Sequence, residues 1–449
     1  MGDAGRSALK TLPRRGYMLV ANGEPTRSLV TSGDAPRSSN TEELPVSPPM
    51  PHLSIIVLPF TNIGGDPKQD YFVDGVTESL TTDLSRIAGS FVIGRNTAFT
   101  FRGKAVDARQ IGRDLNVRYV LEGSVQRGGN RFRLNAQLTD TETGSHVWAE
   151  RFDKPAGDLL DMQDEIVSRL ANTLNAELAN AEARRAERSP RPDAMDLYFQ
   201  GRAFINKGVT PAFMAQARDF FKRALALDPD NVEAAVAAAQ IDVSVGSAFL
   251  TDDASVQFEA AETALNKVLL HTPNHPRAHM LFGAVQMQTR RAPSGIAECQ
   301  QALLLDPNLA DAHGFIGLGK FLLGRGEEVE AHIQEALRLS PRDTRAYLWY
   351  MFVGLGKLSI CADREALDWF RRSLEFNRNH ALTHFHFAAA LALLGDLKEA
   401  RTATAAGLAL DPSFTIRRYR SSPKVNNPSY VAKRVRFYEG MRLAGVPEG

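Results

Sequence analysis

The sequence has few of the cysteines and little of the charge excess that mark disulfide-rich, zinc-binding, nucleic-acid-binding or membrane-binding proteins. It contains 2 cysteines in 449 residues, Cys299 and Cys361, and neither belongs to a CxxC pair. Such sparse cysteine argues against a disulfide framework and a zinc site, and it predicts a reducing compartment. The 53 basic and 52 acidic residues nearly balance, so no excess of one charge draws the whole chain to nucleic acid or membranes.

Long hydrophobic runs are also missing. The longest strongly apolar stretch near the start, residues 53–60, is much shorter than the roughly 20 residues of a membrane helix. The first residues contain no apolar segment typical of a signal peptide. We therefore expect a cytoplasmic protein of several domains, since about 100–200 residues per domain is usual.

Patterns that indicate catalysis or metal binding are missing as well. Asp66, Asp70 and Asp74 are spaced by four, whereas a calcium loop places acids at alternate positions, so Asp70 is expected to cap a helix instead. The histidines within 271–279 and 380–386 lack a further ligand that would complete a metal shell. We predict no enzyme activity, no metal site and no cofactor.

The chain opens with a basic stretch, "ALKTLPRRGYMLVAN" at residues 8–22. Alternating apolar residues flank Pro-Arg-Arg-Gly, which predicts a β-hairpin within residues 1–20. Residues 21–52 are rich in Pro, Ser, Thr and Gly and show neither helical nor strand periodicity. Such a segment buries too little apolar surface to become ordered, so we predict a disordered linker.

Residues 53–185 are predicted to form an α+β domain with the element order βαβαβββα. The run "LSIIVLPF" is typical of a buried strand, and "RFRLNAQLTD" alternates apolar and polar residues as a half-buried strand does. A helix is expected from about Leu159. The charged segment 181–194 then predicts a junction near Pro190, with the parts on either side folding separately.

Helical repeats are predicted over residues 194–415. One position recurs after every second helix in steps of 44, 34, 34, 37 and 34 residues: Pro229, Pro273, Pro307, Pro341, Arg378 and Pro412. Mostly small residues recur five and twelve positions earlier, where two helices must approach closely. Thirty-four residues is the tetratricopeptide period, so we predict six units of an all-α superhelix. A capping helix and tail are expected over residues 416–449.

Four segments carry a resemblance to a known family: "SIIVLPFTNIGGDPKQDYFVDGVTESLTTDLSRI", "FVIGRNTAFTFRGK", "IGRDLNVRYVLEGSVQR" and "TGSHVWAERFD". They resemble the TolB-like amino-terminal domain of regulators from soil alphaproteobacteria, in which this domain precedes tetratricopeptide repeats. The resemblance implies one of two modules ahead of the TolB-like domain. One is an OmpR/PhoB-type winged-helix DNA-binding domain, and the other is a class III adenylate cyclase domain.

The opening hairpin favours the first of these modules. "LKTLPRRGYMLVA" resembles the last hairpin of a winged helix, with Arg14 and Arg15 in the remnant of the wing. The recognition helix, which reads bases in the major groove, would precede this hairpin. We therefore expect DNA binding only if an upstream winged helix is restored. Either the true start lies upstream of Met1 or the gene is truncated.

Together, the repeats and the resemblance predict a regulatory protein that binds a protein or peptide in the tetratricopeptide groove. Two alternatives remain, the regulatory half of an adenylate cyclase system and a free-standing interaction scaffold. The repeat register predicts these groove residues: Arg277, Met280, Met287, Asp311, Phe321, Arg345, Leu348 and Phe385. If the groove is not the site, the open sheet face around Arg131, Arg133 and Gln137 is the next candidate.

Overall fold

The structure is a computed structural model that describes residues 9–12, 16–19 and 52–449, apart from 66, 88, 129–130, 156–158, 249, 252, 342 and 422–426. The chain divides into two units, Met1–Pro49 and Met50–Gly449. In the first unit, β1 (Leu9–Leu12) pairs antiparallel with β2 (Gly16–Leu19), as the sequence predicted for a hairpin. Arg14, Arg15 and linker residues 21–51 lie outside the described residues.

The second unit begins with a mixed sheet. Its strands are β3 (Leu53–Val57), β4 (Thr61–Asn62), β5 (Ser90–Val92), β6 (Tyr119–Gly128), β7 (Arg131–Asp140) and β8 (His146–Pro155). The order is β5-β3-β6-β7-β8, and β4 pairs with β6. β3 is parallel to β5 and β6, whereas β6, β7 and β8 pair antiparallel. The alternation predicted for β7 is confirmed, since its apolar side chains are buried: Phe132, Leu134, Ala136 and Leu138.

Helices pack on both faces of β3 in this sheet. α1 (Asp70–Ser85) and α4 (Leu159–Ala186) pack on the face of β3 that carries Ile55. α2 (Arg95–Phe99) and α3 (Ala108–Leu115) pack on the opposite face, which carries Ile56. This division follows from the strand period of two, which points successive side chains to opposite faces.

Two details of this region differ from the prediction. Asp70 is not the N-cap of α1 but its first residue, and its carboxylate accepts a hydrogen bond from the Asn62 amide at 2.7 Å. The short elements β4 and α2 were not predicted. Two and five residues are too few to show a periodicity.

The helices that follow form six packed pairs, as the repeat spacing predicted. The pairs are α5 (Ala194–Asn206) with α6 (Pro211–Leu227), α7 (Val232–Ser247) with α8 (Ala254–His271), α9 (Pro276–Gln288) with α10 (Ala292–Leu305), α11 (Ala310–Leu322) with α12 (Val329–Leu339), α13 (Ala346–Ser359) with α14 (Asp363–Phe376), and α15 (Ala381–Leu393) with α16 (Leu397–Leu410). The recurrent proline or arginine lies just beyond the second helix of each pair. The fold is therefore a tetratricopeptide-like helical array behind a small sheet.

Close approach of paired helices requires glycine on the first helix of some pairs as well as small residues on the second. A Cβ added to Gly201 of α5 would lie 2.5 Å from the ring of Phe221, and one added to Gly354 of α13 would overlap the ring of Phe370. Phe221 lies eight residues before Pro229, and Phe370 lies eight residues before Arg378, so the two rings occupy the same position of the repeat. A side chain at either glycine would push the two helices apart, because interiors are close-packed.

One hydrophobic cluster continues from the sheet into the first repeats. It includes Val57 of β3, Leu170 of α4, Tyr198 of α5 and Phe221 of α6. α4 has 28 residues, so it carries its apolar seam over about 42 Å and packs against both parts. The prediction that the parts fold separately at Pro190 is therefore corrected, since Met50–Gly449 is one compact unit.

A buried group of polar side chains joins the sheet and α4 at the same junction. The Glu182 carboxylate of α4 accepts hydrogen bonds from Arg118 Nη1 at 2.6 Å and from the Tyr119 hydroxyl at 2.6 Å. His52 Nδ1, just before β3, lies 3.0 Å from the same carboxylate. The side chains of Glu182 and Arg118 are 0% and 4% exposed. We call these four residues the Glu182 cluster.

The chain ends with α17 (Ile416–Ser421) and α18 (Pro428–Leu443). α18 packs on α15, where Gly440 lies against Ala389. Its N-terminal half reaches back toward earlier repeats, since Lys433 Nζ donates to the Gly324 carbonyl at 2.6 Å and Arg436 binds Asp363. Of the helices described here, none is both long and apolar enough to cross a bilayer.

Candidate binding site in the helical repeats

Three of the predicted groove residues are packing residues instead. Met280 and Met287 of α9 and Phe385 of α15 are 0% exposed. Phe385 stacks on Phe414 with ring centroids 3.9 Å apart. An error of one residue in the register rotates a side chain by about 100°, which carries it from the groove into the contact between helices.

The three charged residues predicted for the groove form, together with Glu233, a ladder of charges along one edge of the repeats. Glu233, Arg277 and Asp311 are the second residues of α7, α9 and α11, and Arg345 directly precedes α13. The sign alternates from one repeat to the next. Glu233 binds His275 Nε2 at 3.0 Å, and Asp311 forms an ion pair with Arg345. These contacts tie neighbouring repeats together.

The members of this ladder differ in how well their charge is compensated. Burial opposes ionisation of Arg345, but the carboxylates of Asp311 and Asp343 raise the pKa of its guanidinium above the ordinary value. Burial, together with the like charges of Arg202 and Arg345, lowers the pKa of Arg277 to about 10. Arg277 donates to a neutral acceptor, the Gln240 amide oxygen, at 3.0 Å. The positive charge of Arg277 is therefore less well compensated than that of Arg345.

A small apolar cavity lies on the side formed by the first helices, and we call it the groove cavity. Its volume is about 140 Å³, and the predicted residues Phe321, Arg345 and Leu348 line it. The other walls are largely aromatic or aliphatic, and they include Phe315, Tyr347, Met351 and Phe352. A cavity of roughly 150 Å³ holds a benzene-sized group. The groove cavity therefore fits one large apolar side chain.

The charge within this cavity is low at neutral pH. His380 lines it, and burial lowers the pKa of its imidazole to about 4. This imidazole is therefore neutral at pH 7. Arg345 contributes a positive charge at the edge, where Asp311 already pairs with it.

Sequence reasoning missed the part of the groove cavity that the C-terminal helices supply. Tyr430 of α18 meets Phe321 edge-on, with ring centroids 5.2 Å apart, and Tyr419 of α17 lies within hydrogen-bond distance of His386 Nε2, 2.9 Å away. Both tyrosines line the cavity. No local pattern reveals this, because the contacts bring together residues far apart in the chain.

His52, Asp193 and Asp196 lie close enough together to share a metal ion. Each nitrogen of His52 already faces a carboxylate at 3.0 Å, Nδ1 that of Glu182 and Nε2 that of Asp193. Asp193 and Asp196 also form the capping box of α5. The geometry is fully explained by these contacts within the protein.

The alternative site on the sheet carries paired polar side chains. Arg133 Nε donates to Asp153 at 2.9 Å, and the Gln137 amide donates to Glu122 at 2.6 Å. Arg131 is exposed next to them. These cross-strand pairs satisfy one another, so this face has less need of an external partner.

Comparison with known proteins gives partial matches. No family model matches the chain. It is 42% identical over 220 residues to "Putative adenylate cyclase 3" of Rhizobium meliloti, covering 48% of this chain and 37% of that protein. It is 26% identical over 167 residues to the transcriptional regulator HilA of Salmonella typhimurium, covering 36% of this chain and 30% of HilA. The matched part spans about a third of each relative's length.

Solved structures that resemble the chain include tetratricopeptide proteins. TTC0263 of Thermus thermophilus has a TM-score of 0.36 and 19% identity, with 44% of this chain and 98% of that one covered. The Cut9–Hcn1 assembly has a TM-score of 0.43 and 16% identity, with 59% and 48% covered. These scores are below 0.5, so the repeat assignment rests on the helix pairs and their spacing.

Proposed function

We propose that the chain is a non-catalytic regulatory protein that binds a protein or peptide partner through the groove cavity. The observation that carries the proposal is an apolar cavity of about 140 Å³ on the first-helix side of a tetratricopeptide-like array. First helices line the concave surface of such arrays, where partners bind. Compartment is part of the proposal too: both described cysteines are free thiols, which fits the cytoplasm.

The cavity also defines the partner. Because it fits one side chain, the partner segment contributes a single large apolar anchor, such as Phe or Leu. Full burial of such a side chain contributes about 1.5–3 kcal/mol to binding. The pairing of Arg345 with Asp311 leaves little charge to attract an acidic segment, so apolar burial dominates recognition.

The test uses Leu348, which lines the cavity and is half-buried. Peptides would be selected from a random display library against the full chain, and their affinities measured by fluorescence polarisation. We expect Leu348→Glu to weaken the selected peptides by about tenfold or more, since a buried unpaired carboxylate is costly. Leu304→Glu is the matched control, because Leu304 of α10 is 79% exposed. Equal affinities for the two variants would refute the groove cavity as the site.

The regulatory output is the finer part of the proposal. We propose that the sheet region is TolB-like and that the opening hairpin is the last hairpin of a winged helix, as in relatives of OmpR/PhoB type. The partial match to HilA, a transcriptional regulator, supports this assignment.

A second candidate function is the regulatory part of an adenylate cyclase system, which the 42% identity to the Rhizobium meliloti protein favours. The genomic sequence in frame ahead of Met1 discriminates between the two. A class III cyclase domain encoded there would support the second candidate. A winged-helix domain encoded there would support the first.

A further inference from the structure

A second, larger cavity lies where the sheet region meets the repeats, and we call it the interface cavity. Its volume is about 500 Å³. α4 and β8 form one wall, including Asn172 and Trp148. α5, α9 and the residues leading into α13 form the other wall, including Arg202, Arg277 and Arg345. A volume of roughly 300–1,000 Å³ is typical of small-molecule sites.

The repeat wall of the interface cavity carries one more positive than negative charge, since its three arginines share the wall with two carboxylates, Asp311 and Asp343. Arg345 is paired with Asp311, but Arg277 donates to the Gln240 amide oxygen at 3.0 Å and Arg202 to the Tyr198 hydroxyl at 3.0 Å. Among the described residues, neither of these two arginines forms an ion pair. Burial and the like charges of its neighbours also lower the pKa of Arg277 to about 10. An anion between the two guanidiniums would offset this repulsion.

The same wall presents buried donors that the described residues leave without an acceptor. These are Nε of Arg202 and Nδ2 of Asn206, both in residues that line the cavity. The two residues are four apart on α5, so they lie on one face of the helix. A buried donor without an acceptor costs about 1–3 kcal/mol, which an acceptor brought by a ligand would recover.

The opposite wall differs in charge. Glu150 of β8 and Glu177 of α4 line it, together with the amides of Asn175 and Asn180, although Arg169 also lies there. This arrangement disfavours a ligand that is anionic at both ends. It favours one acid group on the repeat wall and a hydroxyl-bearing or otherwise polar body toward α4 and β8.

We propose that the interface cavity binds a small organic acid, a phosphate ester or a carboxylate, whose acid group accepts hydrogen bonds from Arg202, Asn206 and Arg277. Guanidinium groups bind such oxyanions through paired, charge-assisted hydrogen bonds. The ligand contacts both α4 and the first helices, so its binding reports on the junction between the sheet and the repeats. The proposal is independent of the groove cavity.

The test is isothermal titration of the full chain at constant ionic strength with three probes: inorganic phosphate, glucose 6-phosphate and gluconate. We expect saturable binding of glucose 6-phosphate or gluconate, and the stronger of the two identifies the acid group. Inorganic phosphate is expected to bind more weakly, since it lacks the polar body. The double variant Arg202→Gln with Arg277→Gln should weaken binding by about tenfold or more, because hydrogen bonds to charged groups are lost.

Two further variants separate binding from folding. Asn206→Asp keeps the size of the side chain but replaces the donor with a carboxylate, so it should also weaken binding. Arg371→Gln removes a surface arginine that pairs with Asp368 away from the cavity, and it should bind as the unmodified chain does. No saturable binding of any probe, or equal binding by Asn206→Asp and Arg371→Gln, would overturn the proposal.

Discussion

α4 meets its surroundings in two contrasting ways. At Glu182 its contact is closed, because a carboxylate that is 0% exposed is bound by Arg118, Tyr119 and His52. Between Asn172 and Asn180 its contact is open, because the interface cavity of about 500 Å³ separates it from the first helices. The comparison teaches that the junction is fixed at one point and leaves room for a ligand at another.

The largest expected effect is at the closed contact. Glu182→Ala removes the carboxylate and leaves the Arg118 guanidinium buried, so the free energy of unfolding should fall by about 3–5 kcal/mol. Urea unfolding followed by circular dichroism measures it. Glu142→Ala is the control, since Glu142 pairs with Arg185 of the same helix at the surface and should cost less than about 1 kcal/mol. Similar losses for both would show that the Glu182 cluster is not a stabilising anchor.

A smaller loss is expected for Tyr119→Phe. The substitution removes one hydroxyl, which donates to Glu182 at 2.6 Å, and leaves the ring and the other partners in place. We expect the free energy of unfolding to fall by about 1.5–3 kcal/mol, the range for hydrogen bonds to charged groups. The measurement is the same urea titration. A loss of unfolding free energy smaller than that of Glu142→Ala would mean that Arg118, and not Tyr119, provides the stabilisation of the cluster.

At the open contact the expected loss is smaller again. The Asn172 amide donates to the Leu339 carbonyl, at the end of α12, at 3.1 Å. Asn172→Ala should therefore cost about 0.5–1.5 kcal/mol, the net value of a neutral hydrogen bond. Urea unfolding again measures it. If Asn172→Ala cost as much as Glu182→Ala, the contrast between a closed and an open contact would fail.

The pH dependence of the closed contact should show the subtlest effect. The hydrogen bond to Glu182, opposed by burial and reinforced by Asp193, raises the pKa of His52. Since the folded pKa is raised, the stabilisation is full below the ordinary pKa of about 6.5 and is lost as pH rises through the folded value. At acidic pH the relevant group is Glu182. Burial alone would raise the pKa of its carboxyl, but the hydrogen bonds that it accepts lower this pKa below the ordinary value. The contribution of Glu182 to stability is therefore lost only below about pH 4.5.

Stability curves of the unmodified chain and of His52→Gln check this prediction. Their difference should be largest between about pH 4.5 and 6.5 and should shrink at higher pH. Asp193, Asp196 and Arg118 also face the imidazole and remain in both proteins. A difference that does not change with pH would mean that the charge of His52 plays no part in the junction.

Local patterns predicted much of the fold. The recurrence from Pro229 to Pro412 located every helix pair, and the alternation in β7 located the buried face of the sheet. These features depend on periods of a few residues, which a sequence displays directly.

The site could be predicted less well. Met280 was placed in the groove but is buried, because the face of a helix depends on a register that spacing fixes only to within a residue. The Glu182 cluster was missed, since His52 and Glu182 lie 130 positions apart and only the folded chain brings them together. The interface cavity was missed for the same reason, as its walls come from β8, α4 and four repeats.

The packing of α18 has a consequence for self-association. Each helix pair of a solenoid exposes a face onto which a further pair can stack, and in isolation such a face would recruit the first pair of another molecule. Here Gly440 and Ala444 of α18 lie against Ala389 and Thr404 of the last pair, while Tyr430 at the other end of α18 contacts Phe321 of α11. α18 therefore covers part of the last pair that a further helix pair would otherwise contact, and it holds that pair to earlier repeats.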